Sequence, residues 1–337
     1  MPQPWPAPTS APTPSLGELQ EGLRVVRIPL RVRFRGVTER EVALLRGPLG
    51  WGEFGPFLDY GPRESSWWLR SAIEAAYAGW PAPVRDRVPI NATVPAVPAG
   101  EVAGVLARFP GCTTAKVKVA EPGQRLADDL DRVAAVRDVL GADGRIRVDA
   151  NGAWELGDAV RALGALAAYR LEYAEQPCMD VADLARLRVA LARGGVDVPV
   201  AADESLRKAA DPLRVAREGA ADLIVVKVAP LGGVCRALEI VTECGLPAVV
   251  SSALDTSVGM AAGIALAAAL PELPWACGLG TLALLAGDVV AAPTPQVGGA
   301  LSVATAAPVV DDELVARWSV PPERAGLWRE RLAAAYG

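Results

Sequence analysis

A regular alternation of short apolar segments with helical patterns limits the folds open to this chain more than any other feature. Eight β-branched or apolar runs recur at intervals of 24 to 30 residues. Most intervals carry a helical pattern, such as residues 124–140, which Gly141 ends. The runs are centred near Ala92, Val117, Arg147, Tyr173, Ala201, Val225, Val249 and Ala276.

Buried-type strands that alternate with helices predict a parallel sheet covered by helices. Eight such strands at one period favour a closed (β/α)8-type barrel over an open sheet. A doubly wound sheet is the alternative, although no GxGxxG motif follows the first strand.

The flanking segments of the 337-residue chain differ from the barrel in composition. Residues 1–14 are rich in proline and carry no charged side chain, which predicts a disordered extension. Residues 15–87 contain strand-like segments, glycine-rich turns at residues 47–55 and an amphipathic helical pattern, which together predict a small α+β domain. We expect the barrel to span residues 88–286, and residues 287–337 to return and complete the α+β domain.

The chain contains no histidine, which excludes several classes of site. Ser-His-Asp catalysis, Cys-His catalysis, histidine-ligated metals and an imidazole base are all ruled out. The net charge of −5 argues against a nucleic-acid partner, and the apolar runs are too short to span a membrane. Five scattered cysteines and the absence of a signal-peptide pattern predict free thiols in the cytoplasm.

Charged residues fall at the carboxyl ends of five successive predicted strands, where the active sites of parallel barrels lie. Only four of the 34 basic residues are lysines, and three of these four are in this set. Two of the lysines are separated by one residue on a strand, so both point to the same face. The set consists of Lys116, Lys118, Asp149, Glu175, Asp203 and Lys227.

Three converging carboxylates cannot all ionise in a confined space without a cation that screens their repulsion. An all-oxygen ligand set favours a hard divalent ion, and open positions for water and substrate favour Mg²⁺, with Mn²⁺ as a substitute. A lysine close to this ion and to a second lysine has a lowered pKa and can act as a base. The pattern therefore predicts removal of a proton alpha to a carboxylate in a small-molecule substrate, giving an enediolate that the ion stabilises.

Five motifs carry these residues: Thr114–Val119, Val148–Trp154, Glu175–Pro177, Ala202–Ser205 and Asp222–Lys227. Together they resemble the muconate-lactonising subgroup of the enolase superfamily over nearly the whole chain. Within that subgroup, three further segments are similar to those of actinobacterial o-succinylbenzoate synthases. The three segments are Arg145–Asn151, Ser251–Gly259 and Gly278–Thr281.

The resemblance implies a modified (β/α)7β barrel with an α+β capping domain. It also implies roles: Asp149, Glu175 and Asp203 would bind Mg²⁺. Lys118 would remove the alpha proton and then assist the departure of hydroxide from the same face. Lys227 would stabilise the enediolate from the opposite face, and Lys116 would lower the pKa of Lys118.

Further polar residues are expected to contact the substrate or to support the residues that do. Asn151 could equally serve a turn, and the two serines of the set could cap a helix. Lys208 lies outside the strand-end pattern and is interpreted as a solvated surface residue. The expected contacts are Asn151, Arg147, Glu204, Ser251 and Ser252.

The glycine-rich segment Gly50–Gly61 is expected to form a lid over an apolar ring. Its aromatic residues could instead be packing anchors within the capping domain. They are Trp51, Phe54, Phe57 and Tyr60.

The reaction that the resemblance implies is a hydro-lyase step of menaquinone biosynthesis. It is the syn elimination of water from 2-succinyl-6-hydroxy-2,4-cyclohexadiene-1-carboxylate, which forms o-succinylbenzoate. An N-acylamino acid racemase, a dipeptide epimerase and a muconate-type cycloisomerase are the alternatives, because opposed lysines suit each of these reactions. The segment Ser251–Gly259 lacks the Asp-x-Asp typical of dipeptide epimerases. The sequence does not determine the oligomeric state, and a monomer is compatible with it.

Overall fold

The computed structural model describes residues 14–208, 211–303 and 308–337, which contain thirteen strands and thirteen α-helices. The strands are β1 (Arg24–Phe34), β2 (Val37–Gly47), β3 (Gly50–Phe54), β4 (Arg87–Pro89), β5 (Ala92–Val94), β6 (Thr114–Lys118), β7 (Arg145–Asp149), β8 (Leu171–Glu175), β9 (Val200–Ala202), β10 (Leu223–Val226), β11 (Ala248–Val250), β12 (Gln296–Val297) and β13 (Ala300–Ser302). The helices are α1 (Leu16–Glu21), α2 (Pro62–Ile73), α3 (Val102–Leu106), α4 (Leu126–Leu140), α5 (Leu156–Leu166), α6 (Val181–Arg193), α7 (Glu204–Arg207), α8 (Arg214–Arg217), α9 (Val228–Leu231), α10 (Val234–Cys244), α11 (Ser257–Ala269), α12 (Asp312–Trp318) and α13 (Pro322–Tyr336).

Seven parallel strands form one curled sheet in the order β5 to β11, each beside its neighbour in sequence. The segment Cys277–Gly278 closes this sheet, because Cys277 forms a parallel bridge with Ile90 and Gly278 forms one with Ser251. The predicted parallel barrel is therefore confirmed, and the doubly wound alternative is wrong. The eighth predicted strand, near Ala276, is reduced to these two bridges.

The amino-terminal part forms a separate antiparallel sheet, in which β2 pairs with both β1 and β3. The sequence predicts only turns at residues 47–55, whereas the structure has strand β3 there. The reason is close packing: a Cβ atom on Gly52 would lie 2.0 Å from the carbonyl oxygen of Ala72 in α2. Glycine thus lets the strand lie directly against the helix.

The carboxyl-terminal helix α13 packs against α2 and β1 of this amino-terminal sheet. The rings of Phe54 and Trp328 meet edge to face with centroids 5.9 Å apart, and both side chains are buried. Pro14 is buried and its carbonyl oxygen accepts a hydrogen bond from Tyr336. The rest of the predicted disordered extension, residues 1–13, lies outside the described residues. The predicted domain boundaries stay predictions.

Helix α11 lies between β11 of the barrel and β3 of the amino-terminal sheet. Eleven of its residues are buried, from Ser257 to Ala268, and a helix that is apolar on all sides requires such a position. Thr256 caps its first turn by accepting a hydrogen bond from the amide of Val258. The helix therefore fixes the amino-terminal sheet over the carboxyl end of the barrel.

Within the three described ranges, none of the helices combines the length and apolar character needed to span a bilayer.

Candidate active site

A cavity of about 420 Å³ lies at the carboxyl ends of the barrel strands, beneath the turn between β1 and β2. The predicted site residues gather around it, although they are up to 136 positions apart in sequence (116 to 252). Seven of them line the cavity directly: Lys116, Lys118, Asn151, Glu204, Lys227, Ser251 and Ser252. The carboxyl groups of Asp149, Glu175 and Asp203, called here the strand-end carboxylates, are fully buried and pair with its lysines.

Strand register brings the first part of the site together. Lys118, Asp149 and Glu175 are aligned residues of the neighbouring strands β6, β7 and β8. Lys118 Nζ lies 2.5 Å from Asp149 Oδ2. Lys116 Nζ lies 2.5 Å from Glu175 Oε1 and 2.9 Å from Asp149 Oδ2. Two lysines and two carboxylates therefore form one connected group.

Asp203 and Lys227 form the second part of the site. Lys227 Nζ lies 2.5 Å from Asp203 Oδ2, and Arg207 Nε lies 2.9 Å from Asp203 Oδ1. Strand β10 is four strands from β6 in a barrel of eight positions. Lys227 and Lys118 consequently approach the cavity from opposite sides.

The environment of Lys118 favours the neutral amine. Burial of the ammonium, helped by the charges of Lys116 and Arg35, lowers the pKa of Lys118 to about 8, although Asp149 opposes the shift. Burial is thus the main cause, and Lys116, the cause predicted from the sequence, is a smaller one. The pKa of Lys116 is raised instead, because Asp149 and Glu175 outweigh the effect of its burial. The two neighbouring lysines therefore differ in basicity.

The strand-end carboxylates also differ from one another. Burial and the charge of Asp149 raise the pKa of Glu175 to about 7. Burial would raise the pKa of Asp203, but Arg207 and Lys227 outweigh it and lower that pKa to about 2. Lys116 and Lys118 similarly hold the pKa of Asp149 well below its usual range. The protein alone therefore stabilises two ionised carboxylates well and the third poorly.

The strand-end carboxylates have the chemistry of a divalent-metal site. Glu175 Oε2 is buried without a hydrogen-bond partner, and so is Glu204 Oε2. Glu175 thus offers a carboxylate oxygen without a partner, and the carboxylates of Asp149 and Asp203 belong to the same site. Such a set of oxygens fits a hard cation that all three carboxylates would bind. Among the described residues, however, no three acidic or cysteine side chains stand together at metal-binding distances. The lysine ammonium groups instead pair with the strand-end carboxylates. The residue types therefore fit a divalent ion, although the carboxylate oxygens are arranged around the lysines.

The backbone at the cavity mouth is strained. Ala120, Asn151 and Gln176 follow β6, β7 and β8, and each has a positive φ, between 40° and 56°. Leu254, on the loop after β11, has a φ of 62°. Non-glycine residues in this conformation cost free energy and cluster at functional sites.

Asn151 joins the two parts of the site through its amide group. Its Oδ1 accepts a hydrogen bond from Lys118 Nζ at 2.8 Å, and its Nδ2 donates to Glu204 Oε1 at 3.1 Å. Its backbone N–H donates to Asp149 Oδ1 at 2.9 Å. Asn151 therefore has both of the roles considered for it, because the turn after β7 places its side chain against Lys118.

Ser251 and Ser252 lie at the end of β11 and line the cavity. The hydroxyl groups of Ser252 and Thr281 are hydrogen-bonded to each other at 2.5 Å. Thr256, and neither of these serines, caps α11, so the alternative of a helix cap is wrong.

Arg147, expected to contact the substrate or to support residues that do, lies deeper in the barrel. Its side chain is fully buried and it does not line the cavity. It pairs with Glu172 at 2.5 Å and donates to Asn91 Oδ1 and to the carbonyl oxygen of Ala276. Arg147 precedes Asp149 by two residues, so it shares the inward face but lies one pleat deeper, where it fills the barrel interior.

The predicted lid is only partly correct. Residues Gly50–Phe54 form β3, Phe54 belongs to the core, and Trp51 lies beneath the guanidinium of Arg46. Phe57 and Tyr60 line the cavity together with Trp68 of α2. Trp51 and Phe54 are three residues apart on the strand, so they point to opposite faces of the sheet, and neither lines the cavity.

Lys208 is not merely a solvated surface residue. Its side chain is 40% exposed, lines the outer part of the cavity and places Nζ 4.7 Å from the ring centroid of Tyr60. Nζ also lies 3.4 Å from Asp59 Oδ2.

Two arginines of the site, Arg207 and Arg35, were not predicted from the sequence. Arg207 donates to Asp203, Glu204 and the hydroxyl of Tyr60, and the i, i+4 spacing from Asp203 could have indicated it. Arg35 donates to Asn151 Oδ1 at 2.7 Å from the turn between β1 and β2. Its only sequence signal is the following glycine, which suggests a tight turn.

The chain is similar to known proteins. Residues 101–308 match the family model of the enolase C-terminal domain-like proteins, and residues 25–76 match that of the enolase N-terminal domain-like proteins. The chain is 57% identical to the o-succinylbenzoate synthase of Mycolicibacterium smegmatis over 96% of this chain and 98% of that one. It is 56% identical to the o-succinylbenzoate synthase of Thermobifida fusca over 93% of this chain and 95% of that one.

Solved structures share the fold at lower identity. The muconate lactonizing enzyme from Pseudomonas fluorescens, complexed with muconolactone, superposes with a TM-score of 0.74 at 22% identity. The match covers 88% of this chain and 98% of that one. The 2-chloromuconate cycloisomerase from Rhodococcus opacus superposes with a TM-score of 0.73 at 22% identity, covering 89% of this chain and 98% of the other.

Proposed function

We infer the reaction of this protein from its family, because the chain belongs to the o-succinylbenzoate synthases of the enolase superfamily. It is a hydro-lyase that forms o-succinylbenzoate from 2-succinyl-6-hydroxy-2,4-cyclohexadiene-1-carboxylate in menaquinone biosynthesis. The observation that carries this conclusion is the sequence identity of 56–57% to named synthases over nearly the whole chain. The five unpaired cysteines support the cytoplasmic location that we propose.

Asp149, Glu175 and Asp203 are proposed to hold Mg²⁺. Glu175 Oε2 has no hydrogen-bond partner, and burial together with the charge of Asp149 raises the pKa of Glu175 to about 7; both support this assignment, because the protein alone balances this carboxylate incompletely. A bound divalent cation would supply a Lewis acid that stabilises negative charge developing on the substrate carboxylate.

Lys118 is proposed to be the base and then the acid. Its amine takes the proton from the ring carbon that bears the carboxylate. The C–O bond at the adjacent ring carbon then breaks, and the proton on Lys118 goes to the departing hydroxide as water forms. The lowered pKa of Lys118, about 8, supports this role, since the neutral amine is accessible near neutral pH.

Lys227 is proposed to stabilise the anionic intermediate from the opposite face. The contact of its Nζ with Asp203 Oδ2 at 2.5 Å supports this electrostatic role. Phe57, Tyr60 and Trp68 provide an apolar wall of the cavity for the ring. These aromatic residues line the same cavity as Lys118 and Lys227, which supports exclusion of water from the reacting carbon.

The test is a panel of substrates offered to the purified enzyme with Mg²⁺, with product formation followed by chromatography. We expect conversion of the cyclohexadiene carboxylate, its loss after treatment with EDTA, and its recovery when Mg²⁺ is added back. N-succinylamino acids and dipeptides, offered in parallel, should be racemised more slowly. No conversion of the first compound with efficient racemisation of an N-succinylamino acid would overturn the proposed reaction.

A further inference from the structure

The turn between β1 and β2 reaches the edge of the cavity, and it begins at Arg35. The φ of Arg35 is 49°, a left-handed conformation that arginine rarely adopts. Phe34 and Val37, on either side of it, line the cavity with it. A strained residue of this kind persists only where its surroundings hold it, and the contacts of the Arg35 side chain do so.

The guanidinium of Arg35 spans the carboxyl ends of β6 and β7. Nη2 donates to the carbonyl oxygens of Val119 at 2.5 Å and Asp149 at 3.2 Å. Nη1 donates to the carbonyl oxygen of Ala120 at 3.2 Å and pairs with Glu121 Oε2 at 3.1 Å. A side chain from the amino-terminal sheet thus joins two barrel strands at the point where the catalytic residues project.

The remaining donor of Arg35, Nε, determines the orientation of the Asn151 amide. Nε donates to Asn151 Oδ1 at 2.7 Å, and the same oxygen accepts from Lys118 Nζ at 2.8 Å. Rotating the amide by half a turn would place its NH₂ group against two cationic donors, so only one orientation is satisfied. Arg35 therefore fixes the oxygen that faces Lys118.

Lys118 Nζ is held by two groups, Asp149 Oδ2 and Asn151 Oδ1. The ring of Phe34 covers it, with its centroid 4.8 Å from Nζ. Because an amine nitrogen has three positions beyond its carbon, these two acceptors leave one for a substrate proton. The direction of that position depends on Asn151, and hence on Arg35.

We propose that Arg35 is a positioning residue for Lys118, acting through the amide of Asn151 and not by contact with substrate. This proposal rests on the proposed function in one respect: it takes Lys118 as the base of the reaction whose rate is measured. Misplacement of a reacting group by about 1 Å can cost roughly a hundredfold in rate. Arg35→Ala should therefore lower kcat roughly 10- to 100-fold and change KM by less than about threefold.

The matched control is Arg33→Ala, which removes an exposed arginine from β1, two residues before Arg35. We expect this variant to retain the kcat of the original enzyme. Arg35→Lys should remain impaired, because an ammonium cannot reproduce the fork that reaches both strands. A rise in KM with unchanged kcat in Arg35→Ala, or full activity in Arg35→Lys, would overturn the proposal.

A double-mutant cycle with Asn151→Ala separates positioning from general support. If Arg35 acts through Asn151, adding Arg35→Ala to Asn151→Ala should cost less than about threefold more in kcat. Losses that multiply would contradict the proposal. Should Arg35→Ala fail to fold, Arg35→Gln takes its place in the same cycle, since it also removes the fork and the charge.

Hydrogen exchange gives a readout that does not depend on turnover. Arg35→Ala should accelerate amide exchange in peptides covering residues 145–152 relative to Arg33→Ala, because the end of β7 loses its clamp. Unchanged exchange there would overturn the proposal even if the enzyme converts its substrate. An original enzyme with no conversion of the cyclohexadiene carboxylate would instead contradict the proposed function, and the exchange comparison would still test the clamp.

Discussion

Lys118→Arg should lower kcat at least about a hundredfold, which is the typical contribution of a general base. Arginine keeps the positive charge beside Asp149 but cannot lose its proton at any pH that the enzyme survives. The amine of Lys118 is buried and its pKa is lowered to about 8, so the original enzyme does not face this barrier. Steady-state kinetics with the cyclohexadiene carboxylate measure the effect.

Calorimetric titration with Mg²⁺ is the control for Lys118→Arg. Arginine, like lysine, places a positive charge beside Asp149, so the competition with Mg²⁺ for this carboxylate is similar and Mg²⁺ affinity should stay within a few fold of that of the original enzyme. A near-normal kcat in a variant that binds Mg²⁺ would remove Lys118 from its proposed role as the base.

Glu175→Gln should weaken Mg²⁺ binding at least about a hundredfold, since changes in groups that only support metal ligands already cost 10- to 100-fold. It should also lower kcat at least about 10³-fold, because the cation contributes several kcal/mol of charge stabilisation. The substitution preserves the shape of the side chain, so its effect reports the loss of charge. Titration calorimetry and steady-state kinetics measure the two losses.

Glu172→Gln is the matched control, because Glu172 lies on the same strand three residues earlier and pairs with Arg145 and Arg147. That substitution should reduce thermal stability by breaking an ion pair of the buried Arg147, yet leave Mg²⁺ affinity unchanged. Equal Mg²⁺ affinities in both variants would contradict the assignment of Glu175 as a ligand.

The gathering of the strand-end residues was predictable from the sequence because parallel strands have a common polarity. Once the period identifies the strands, residues at their carboxyl ends must meet at one edge. Lys118, Asp149 and Glu175 do so in direct register. The same period could not tell how deep each inward residue lies, so it left open whether Arg147 contacts the substrate, and the structure places that side chain in the barrel interior.

Contacts between the amino-terminal sheet and the barrel could not be predicted, since no local pattern encodes them. Arg35 meets Asn151 across 116 positions of sequence. Strand β3 was missed because glycines, which usually mark turns, serve there to let β3 approach α2. Lys208 was interpreted from its own segment alone, whereas its surroundings include Asp59 and Tyr60 of a distant loop.

The pairing of lysines with the strand-end carboxylates follows from their charges. Buried carboxylates must be neutralised, and the nearest cations in the chain itself are Lys116, Lys118 and Lys227. Mg²⁺ would therefore compete with these ammonium groups for the carboxylate oxygens.

The most direct test of the central claim is a crystal structure of the enzyme with Mg²⁺ and o-succinylbenzoate. We predict one ion bound by oxygens of Asp149, Glu175 and Asp203 at about 2.1 Å, with Lys118 and Lys227 on opposite faces of the ring. An ion bound elsewhere, or a ring that lies away from both lysines, would contradict the proposed site.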